Sequence, residues 1–170
     1  MKIVLVGYMG SGKSTVGKVL AEKLNVDFFD LDDIIEKENK LSVSDIFKTK
    51  GELFFRKQEN QLLTNVLNKN SFVLSVGGGT PMYFNNMKLI IQNSISIYLR
   101  SDLSTLTERL FKEKENRPLI SHLKTKESMK EFIAKHIFER KVQYENAKYV
   151  VDISNKIVDV IKDEILKLLH

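Results

Sequence analysis

Five short apolar runs recur along the chain and predict β-strands. They lie at residues 3–6, 26–29, 72–76, 95–99 and 149–151. These runs are rich in β-branched and aromatic residues and are separated by polar or glycine-containing segments, which is typical of parallel strands buried on both faces. The second run ends in the acidic stretch 30–33, and the third leads directly into three consecutive glycines.

The segments between the runs carry apolar residues at helical spacing. Two helices are marked most clearly, by Val16, Val19, Leu20 and Leu24 after the first run and by Ile157, Ile161, Ile165, Leu168 and Leu169 near the end of the chain. A capping box at residues 42–45 predicts a short helix through Phe47, which Gly51 ends before a longer helix follows. Ser101 and Asp102 are expected to cap the helix after the fourth run.

Alternating strands and helices predict a three-layer α/β/α architecture, in which helices cover both faces of a five-stranded parallel sheet. The length of 170 residues fits one domain, residues 1–170. Residues 112–128 are charged and polar and have no clear period. We therefore predict a mobile loop there, followed by a helix that ends near Ala147.

Composition narrows the class of protein only a little. The chain is 42% apolar and 29% charged, and it contains no cysteine, so disulfides and thiolate metal sites are excluded. No run approaches the roughly 20 apolar residues of a membrane helix, and we expect a soluble, cytoplasmic protein without a membrane partner. The net charge of +5 favours an anionic ligand, but the lysines are scattered, so nucleic acid is not an expected partner.

The strongest motif is Gly7-Tyr8-Met9-Gly10-Ser11-Gly12-Lys13-Ser14, which fits the phosphate-binding pattern G-x-x-x-x-G-K-[ST]. Its glycines allow backbone N–H groups to turn toward phosphate oxygens, and the following helix points its positive end at the same place. Lys13 can reach the β- and γ-phosphates, and Ser14 can ligate Mg²⁺. The motif stands between a predicted strand and a predicted helix, so it predicts nucleoside triphosphate binding.

Carboxylates and glycines follow the second and third predicted strands. In an open parallel sheet the carboxyl ends of strands line the ligand crevice, so Asp30 and Asp32 are expected near the phosphate loop, facing the same way if the strand extends that far. Asp30 is the better candidate for the metal, and the alternative is that the pair only caps a helix. Gly77, Gly78 and Gly79 can let a ligand approach the backbone and can offer N–H donors.

Arginine is rare in a chain rich in lysine, which draws attention to Arg56, Arg117 and Arg140. Guanidinium groups grip carboxylates and phosphates through two parallel hydrogen bonds. Each arginine taken alone is better explained by a surface ion pair, and only the group of three points to an anion-binding site. His122, His136 and His170 have no metal-ligand spacing, and we expect them to be surface or packing residues.

Taken together, these segments resemble the shikimate kinase family over essentially the whole chain. The resemblance rests on the phosphate loop, Phe29 to Asp32, Gly51 with Phe55-Arg56 and Glu59, the three glycines, Arg117-Pro118-Leu119, and Arg140 with Tyr144 and Ala147. It implies a P-loop fold of the nucleoside-monophosphate-kinase type, with a lid at about residues 112–128. It also implies transfer of a phosphoryl group from ATP to shikimate, in the route to aromatic amino acids, by an enzyme that is a monomer.

The resemblance further implies a role for individual residues. Gly10, Ser11, Gly12, Lys13, Ser14 and Thr15 would hold ATP, with Ser14 on Mg²⁺ and Asp30 in the outer shell of the metal. Asp32, Phe55, Arg56, Gly77, Gly78, Gly79 and Arg140 would surround shikimate. Lys13, Asp32 and Arg117 would act in catalysis, and Arg117 would also contact ATP. Arg109 is the nearest candidate for an arginine beside the adenine.

Other functions compatible with the motif stay open at this point. A kinase for gluconate or for a nucleoside monophosphate would use the same loop, although a nucleotide acceptor has no obvious need of two carboxylate-gripping arginines. A nucleotide switch would bind without rapid turnover. The chain has no guanine-reading N-K-x-D pattern, which disfavours a GTPase.

Overall fold

The computed structural model describes residues 1–117 and 119–169, and the sheet has the predicted parallel strands. The strands are β1 Lys2–Val6, β2 Phe28–Asp30, β3 Phe72–Ser75, β4 Ile95–Arg100 and β5 Tyr149–Asp152. All neighbouring pairs are parallel, in the order β2-β3-β1-β4-β5. β1 therefore lies at the centre of the sheet, and the loop that follows it opens at the middle of the carboxyl edge.

Eight α-helices accompany the strands in the described part of the chain. They are α1 Lys13–Leu24, α2 Leu31–Asn39, α3 Val43–Lys50, α4 Glu52–Leu67, α5 Asn86–Asn93, α6 Leu103–Glu113, α7 Lys126–Tyr144 and α8 Val158–Leu169. Short 3₁₀ turns occupy Thr80–Met82 and Lys114–Asn116. No helix within residues 1–117 and 119–169 is long and apolar enough to cross a membrane.

The two faces of the sheet carry separate apolar cores, which confirms the three-layer prediction. Side chains alternate along a strand, so Val4 and Val6 of β1 join one core while Ile3 and Leu5 join the other. The Ile3 and Leu5 face is covered by α1 and α8, through residues such as Leu20. The opposite, larger core is packed by α2, α4, α5, α6 and α7.

Some predicted boundaries are wrong, and the reasons are tertiary. The pattern did not predict α5, whose buried apolar residues are only Met87 and Ile90, too few to set a helical period. The predicted loop at 112–128 is shorter, because α6 runs to Glu113 and α7 begins at Lys126. Within that stretch Ile120 and Leu123 are buried in the core. Pro118 and His170 lie outside the described residues.

The capping prediction at residues 42–45 is partly confirmed. The Ser42 hydroxyl accepts the Asp45 N–H at 3.1 Å and donates to the Asp45 carboxylate at 2.7 Å. The helix, α3, extends to Lys50 rather than stopping at Phe47. Gly51 then takes a φ of +82°, a left-handed value that other residues rarely adopt, and this turn directs α4 back toward the sheet.

Two leucines on helices provide a test of the packing. We expect Leu20→Ala to lower the free energy of unfolding by about 2–5 kcal/mol, because Leu20 is completely buried between α1 and the sheet and its loss leaves a cavity. The matched change Leu53→Ala, at a leucine that is 64% exposed on α4, should cost less than about 1 kcal/mol. Urea unfolding of both variants measures the difference, and equal losses would contradict the assignment of the core.

Candidate active site

The phosphate loop lies between β1 and α1, at the carboxyl edge of the central strand. Gly7 has no room for a side chain, since a Cβ there would stand 2.8 Å from the Leu99 carbonyl oxygen. Gly12 caps α1 with a left-handed φ of +80°, and no side chain caps the helix in the described structure. The first N–H groups of α1 are thus available to an anion, and the positive end of the helix dipole faces the same way.

Lys13 is buried inside this loop, where its ammonium group is held by backbone oxygens. Its Nζ donates to the carbonyls of Gly7 and Tyr8, each at 2.9 Å. Burial lowers the pKa of Lys13 to about 8, although the negative charges of Asp32 and Asp30 oppose that shift. The ammonium group therefore stands in a poorly solvated place, where a phosphate would interact with it strongly.

Asp30 serves both as a helix cap and as a partner of the phosphate loop, so the two explanations considered for it are compatible. One carboxylate oxygen accepts the Ser14 hydroxyl at 2.5 Å, and the other accepts the Asp32 N–H at 3.1 Å, which caps α2. These hard oxygen atoms beside the phosphate loop are ligands of the kind that Mg²⁺ prefers, and they suit a metal held mainly by phosphates and water.

Asp32 reaches the site from the first turn of a helix. β2 ends at Asp30 and α2 begins at Leu31, so the condition under which the two carboxylates would face the same way, a strand that extends to Asp32, is not met. The Asp32 side chain nevertheless lies on the wall of the phosphate-loop cavity. Burial raises the pKa of Asp32 to about 6, and the negative charges of Asp30 and Glu59 add to this effect.

The three glycines after β3 are closely approached by functional groups from several other elements of the site. A Cβ on Gly77 would lie 3.3 Å from the Asp32 carboxylate, and a Cβ on Gly79 would lie 2.9 Å from Nη2 of Arg56. The carbonyl of Gly78 accepts the Tyr144 hydroxyl at 2.5 Å. Side chains at these positions would displace the groups that line the cleft.

Arg56 is fixed beside this glycine turn by carboxylates on its own helix. Its Nη1 donates to Glu59 at 2.9 Å, and its Nε donates to Glu52 at 3.4 Å. Glu59 is only 1% exposed and also accepts the Thr80 hydroxyl at 2.6 Å. Phe55, the predicted apolar wall, is buried with its ring centroid 4.6 Å from that of Phe47.

Arg140 approaches the site from α7, next to two tyrosines. Its guanidinium carbon lies 5.7 Å from the ring centroid of Tyr8, which belongs to the phosphate loop. The Tyr8 hydroxyl and Nδ1 of His136, one turn earlier on α7, are hydrogen-bonded at 3.0 Å. Tyr8 was expected only as part of the phosphate loop, and His136 only as a surface or packing residue. The spacing of four residues from His136 to Arg140 and on to Tyr144 was the available signal.

Arg117 stands at the mouth of the cleft, about one-third exposed, and pairs with Glu113 at 2.7 Å. Arg109 donates to the carbonyl of Gly10 at 3.3 Å, which places it against the phosphate loop.

The cavity between these elements measures about 270 Å³ and is lined by Met9, Gly10, Gly12, Lys13, Ser14, Thr15, Asp30, Asp32, Ser75, Val76, Gly77, Gly78, Glu113 and Arg117. Ser11, Phe55, Arg56, Gly79 and Arg140 are positioned around it and are not part of that lining.

A phosphate loop on the central strand of a five-stranded parallel sheet, with helices on both faces, defines a P-loop kinase fold of the nucleoside-monophosphate-kinase type. The family model described as shikimate kinase matches residues 9–170. The chain belongs to the shikimate kinase family.

Individual relatives agree over nearly the full length. The chain is 46% identical over 170 residues to a shikimate kinase from Flavobacterium psychrophilum, covering 99% of this chain and 98% of that one. The shikimate kinase of Bacteroides thetaiotaomicron superposes with a TM-score of 0.88 at 31% identity, covering 99% and 98% of the two chains. The shikimate kinase of Acinetobacter baumannii, solved in complex with shikimate, gives 0.90 at 30% identity, covering 99% and 92%.

The raised pKa of Asp32 predicts a stability cost that depends on pH. The folded protein holds this proton more tightly than the unfolded chain, so the cost is absent below about pH 4, grows as the pH rises to about 6, and is constant above that. Asp32→Asn keeps the shape without the charge, and we expect it to raise the free energy of unfolding at pH 8 by about 1–3 kcal/mol. The gain should shrink at pH 5.

The control for this experiment is Asp33→Asn, at the exposed neighbouring carboxylate, which should change the free energy by less than about 0.5 kcal/mol. Denaturant unfolding at pH 5 and pH 8 measures both variants. A gain for Asp32→Asn that does not depend on pH, or a loss at pH 8, would show that the carboxylate is not desolvated as described.

Proposed function

We propose that this chain transfers the terminal phosphoryl group of ATP to a hydroxyl of shikimate, forming shikimate 3-phosphate. The observation that carries the proposal is the meeting of three groups at one glycine turn. The phosphate loop approaches Gly78 through the Gly7 carbonyl and the Met9 N–H, the carboxylate of Asp32 approaches Gly77, and the guanidinium of Arg56 approaches Gly79. Membership in the shikimate kinase family and the similarity to a structure that contains shikimate support the same reaction.

On the acceptor side, we propose that Arg56 and Arg140 bind the carboxylate of shikimate from α4 and α7. Both guanidinium groups are held by neighbouring side chains, so little conformational freedom is lost when the ligand binds. Asp32 would accept hydrogen bonds from ring hydroxyls, and Gly77, Gly78 and Gly79 would contribute backbone groups at close range. Phe55 would support Arg56 from behind, since the guanidinium carbon lies 5.1 Å from its ring centroid.

On the nucleotide side, we propose that the loop from Gly10 to Thr15 holds the phosphates. Mg²⁺ would be bound through the Ser14 hydroxyl, with Asp30 in its outer shell, and would neutralise charge on the phosphate oxygens. The existing bond between Ser14 and Asp30 supports this assignment, because it already brings the two oxygen groups together.

The roles in the chemical step follow from position and charge. Lys13 would exchange the carbonyls of Gly7 and Tyr8 for phosphate oxygens and stabilise the charge that develops there. Asp32, with a pKa of about 6, is ionised at neutral pH and more basic than an ordinary aspartate, which suits it to orient the acceptor hydroxyl and take its proton. Arg117 would add a second cation as the segment near residues 112–128 closes and excludes water.

The direct test is ADP release in a coupled assay with shikimate, gluconate or AMP as the acceptor. We expect rapid ADP release with shikimate only. Equal rates with gluconate or AMP would point to a different kinase, and slow release that no acceptor increases would point to a nucleotide switch. A monomeric state and a cytoplasmic location stay predictions.

Removal of the Lys13 ammonium group should reduce kcat with shikimate by a factor on the order of 10²–10³, because a buried cation directed at the phosphates is lost. Lys18→Ala, at an exposed lysine on the same helix, should leave kcat within about two-fold. Steady-state kinetics of Lys13→Ala and Lys18→Ala measure the two effects. Near-normal turnover by Lys13→Ala would refute the proposed role of the Lys13 ammonium group in the chemical step.

A further inference from the structure

Tyr83 is the closest aromatic contact of Arg56, although no motif of the sequence drew attention to it. The guanidinium carbon of Arg56 lies 3.9 Å from the Tyr83 ring centroid, compared with 5.1 Å for Phe55 and 5.7 Å for Phe47. The Tyr83 hydroxyl donates to Oε1 of Glu52 at 2.8 Å. Tyr83 therefore contacts both the cation and one of the carboxylates that hold it.

The segment that carries Tyr83 is tied to α4 on both sides of the tyrosine. Before it, the Thr80 hydroxyl donates to Glu59 at 2.6 Å. After it, the buried Asn86 donates to the Thr80 carbonyl at 2.9 Å and accepts the Asn60 amide at 2.7 Å. Phe84, with a φ of +50°, makes the turn between these ties in a conformation that bulky residues rarely adopt. The position of the tyrosine ring is thus determined by the surrounding structure.

Tyr83 also weakens the ion pair that Arg56 forms with Glu52 on its own helix, and this ion pair would compete with the carboxylate of a ligand. The oxygen of Glu52 that accepts the tyrosine hydroxyl is the one that lies 3.4 Å from Nε of Arg56, a longer contact than the 2.9 Å bond to Glu59. The hydrogen bond to Glu52 raises the pKa of Tyr83, so the hydroxyl keeps its proton and remains a donor. Glu52 is in this way shared between two donors.

We propose that Tyr83 is a positioning residue that holds the Arg56 guanidinium, through its ring face and through Glu52, in the orientation that binds the carboxylate of the acceptor. This inference rests on the proposed function. A cation is attracted to an aromatic face more strongly when it is shielded from water, and Arg56 is only 13% exposed. The contribution should therefore appear as affinity for a carboxylated acceptor and should be absent for an acceptor without that charge.

The test compares shikimate with its methyl ester, which keeps the ring hydroxyls and lacks the negative charge. Calorimetric titration of Tyr83→Leu should give an affinity for shikimate about 5- to 30-fold below that of the unchanged protein. The affinity for the methyl ester should change by less than about two-fold. Tyr83→Phe keeps the ring and loses the bond to Glu52, so its loss with shikimate should be smaller, about 2- to 5-fold.

Kinetics separate positioning from catalysis. In Tyr83→Leu the KM for shikimate should rise while kcat and the KM for ATP stay within about two-fold. Phe54→Leu is the matched control, because it removes an aromatic ring on α4 that contacts a different cation, the Lys50 ammonium group at 4.7 Å, and it should leave the affinity for shikimate unchanged. Thermal unfolding checks that each variant folds. If Tyr83→Leu does not fold, the affinity of Tyr83→Phe for shikimate provides the test.

Two outcomes would overturn the inference. An unchanged affinity for shikimate in Tyr83→Leu would mean that Arg56 needs no support from the ring. An equal loss for shikimate and for the methyl ester would mean that Tyr83 acts through packing of the cleft and not through the carboxylate contact. Failure of the unchanged protein to release ADP with shikimate would instead count against the proposed function.

Discussion

The site depends on the electrostatic attraction between one buried ammonium group and two carboxylates at the carboxyl edge of the sheet. The Lys13 ammonium group is buried in the phosphate loop, and it interacts electrostatically with Asp30, at the end of β2, and with Asp32, in the first turn of α2. Desolvation works against each charge separately, lowering the pKa of Lys13 and raising that of Asp32, while their mutual attraction opposes both shifts. A site built in this way is electrostatically prepared before a ligand arrives, which is the usual source of most of the catalytic effect of an enzyme.

The fold makes this arrangement possible because parallel strands end at the same edge. β1 and β3 are neighbours, so the phosphate loop after β1 and the glycine turn after β3 meet, and β2 brings Asp30 beside them. α4 and α7 then bring one arginine each toward the glycine turn. Each arginine lies against a tyrosine ring, Arg56 against Tyr83 and Arg140 against Tyr8. For Arg56 the aromatic face adds to the orientation that Glu52 and Glu59 provide, and it does so without adding negative charge.

Two features of the structure oppose stability, and the one at the cleft is compatible with a functional role. The partly buried carboxylate of Asp32 and the positive φ of Phe84 both work against the folded state. Asp32 lines the cleft, whereas the cores on the two faces of the sheet are apolar. A cost in stability at such a carboxylate is expected where function and stability make different demands on the same residue.

Local patterns in the chain were enough to predict the five strands, the phosphate loop and the family, because strand burial and phosphate binding both depend on short contiguous stretches. Contacts between residues far apart in the chain were not predictable from them. Asp32 enters the cleft because α2 starts at Leu31, and the pattern alone could not decide whether the acidic stretch continues the strand or begins a helix. α5 forms because two residues find an existing core, and Ile120 and Leu123 are buried within a stretch whose charges suggested a loop. Tyr8, His136 and Tyr83 gain their roles from partners 27 to 128 positions away, and only folding brings such partners together.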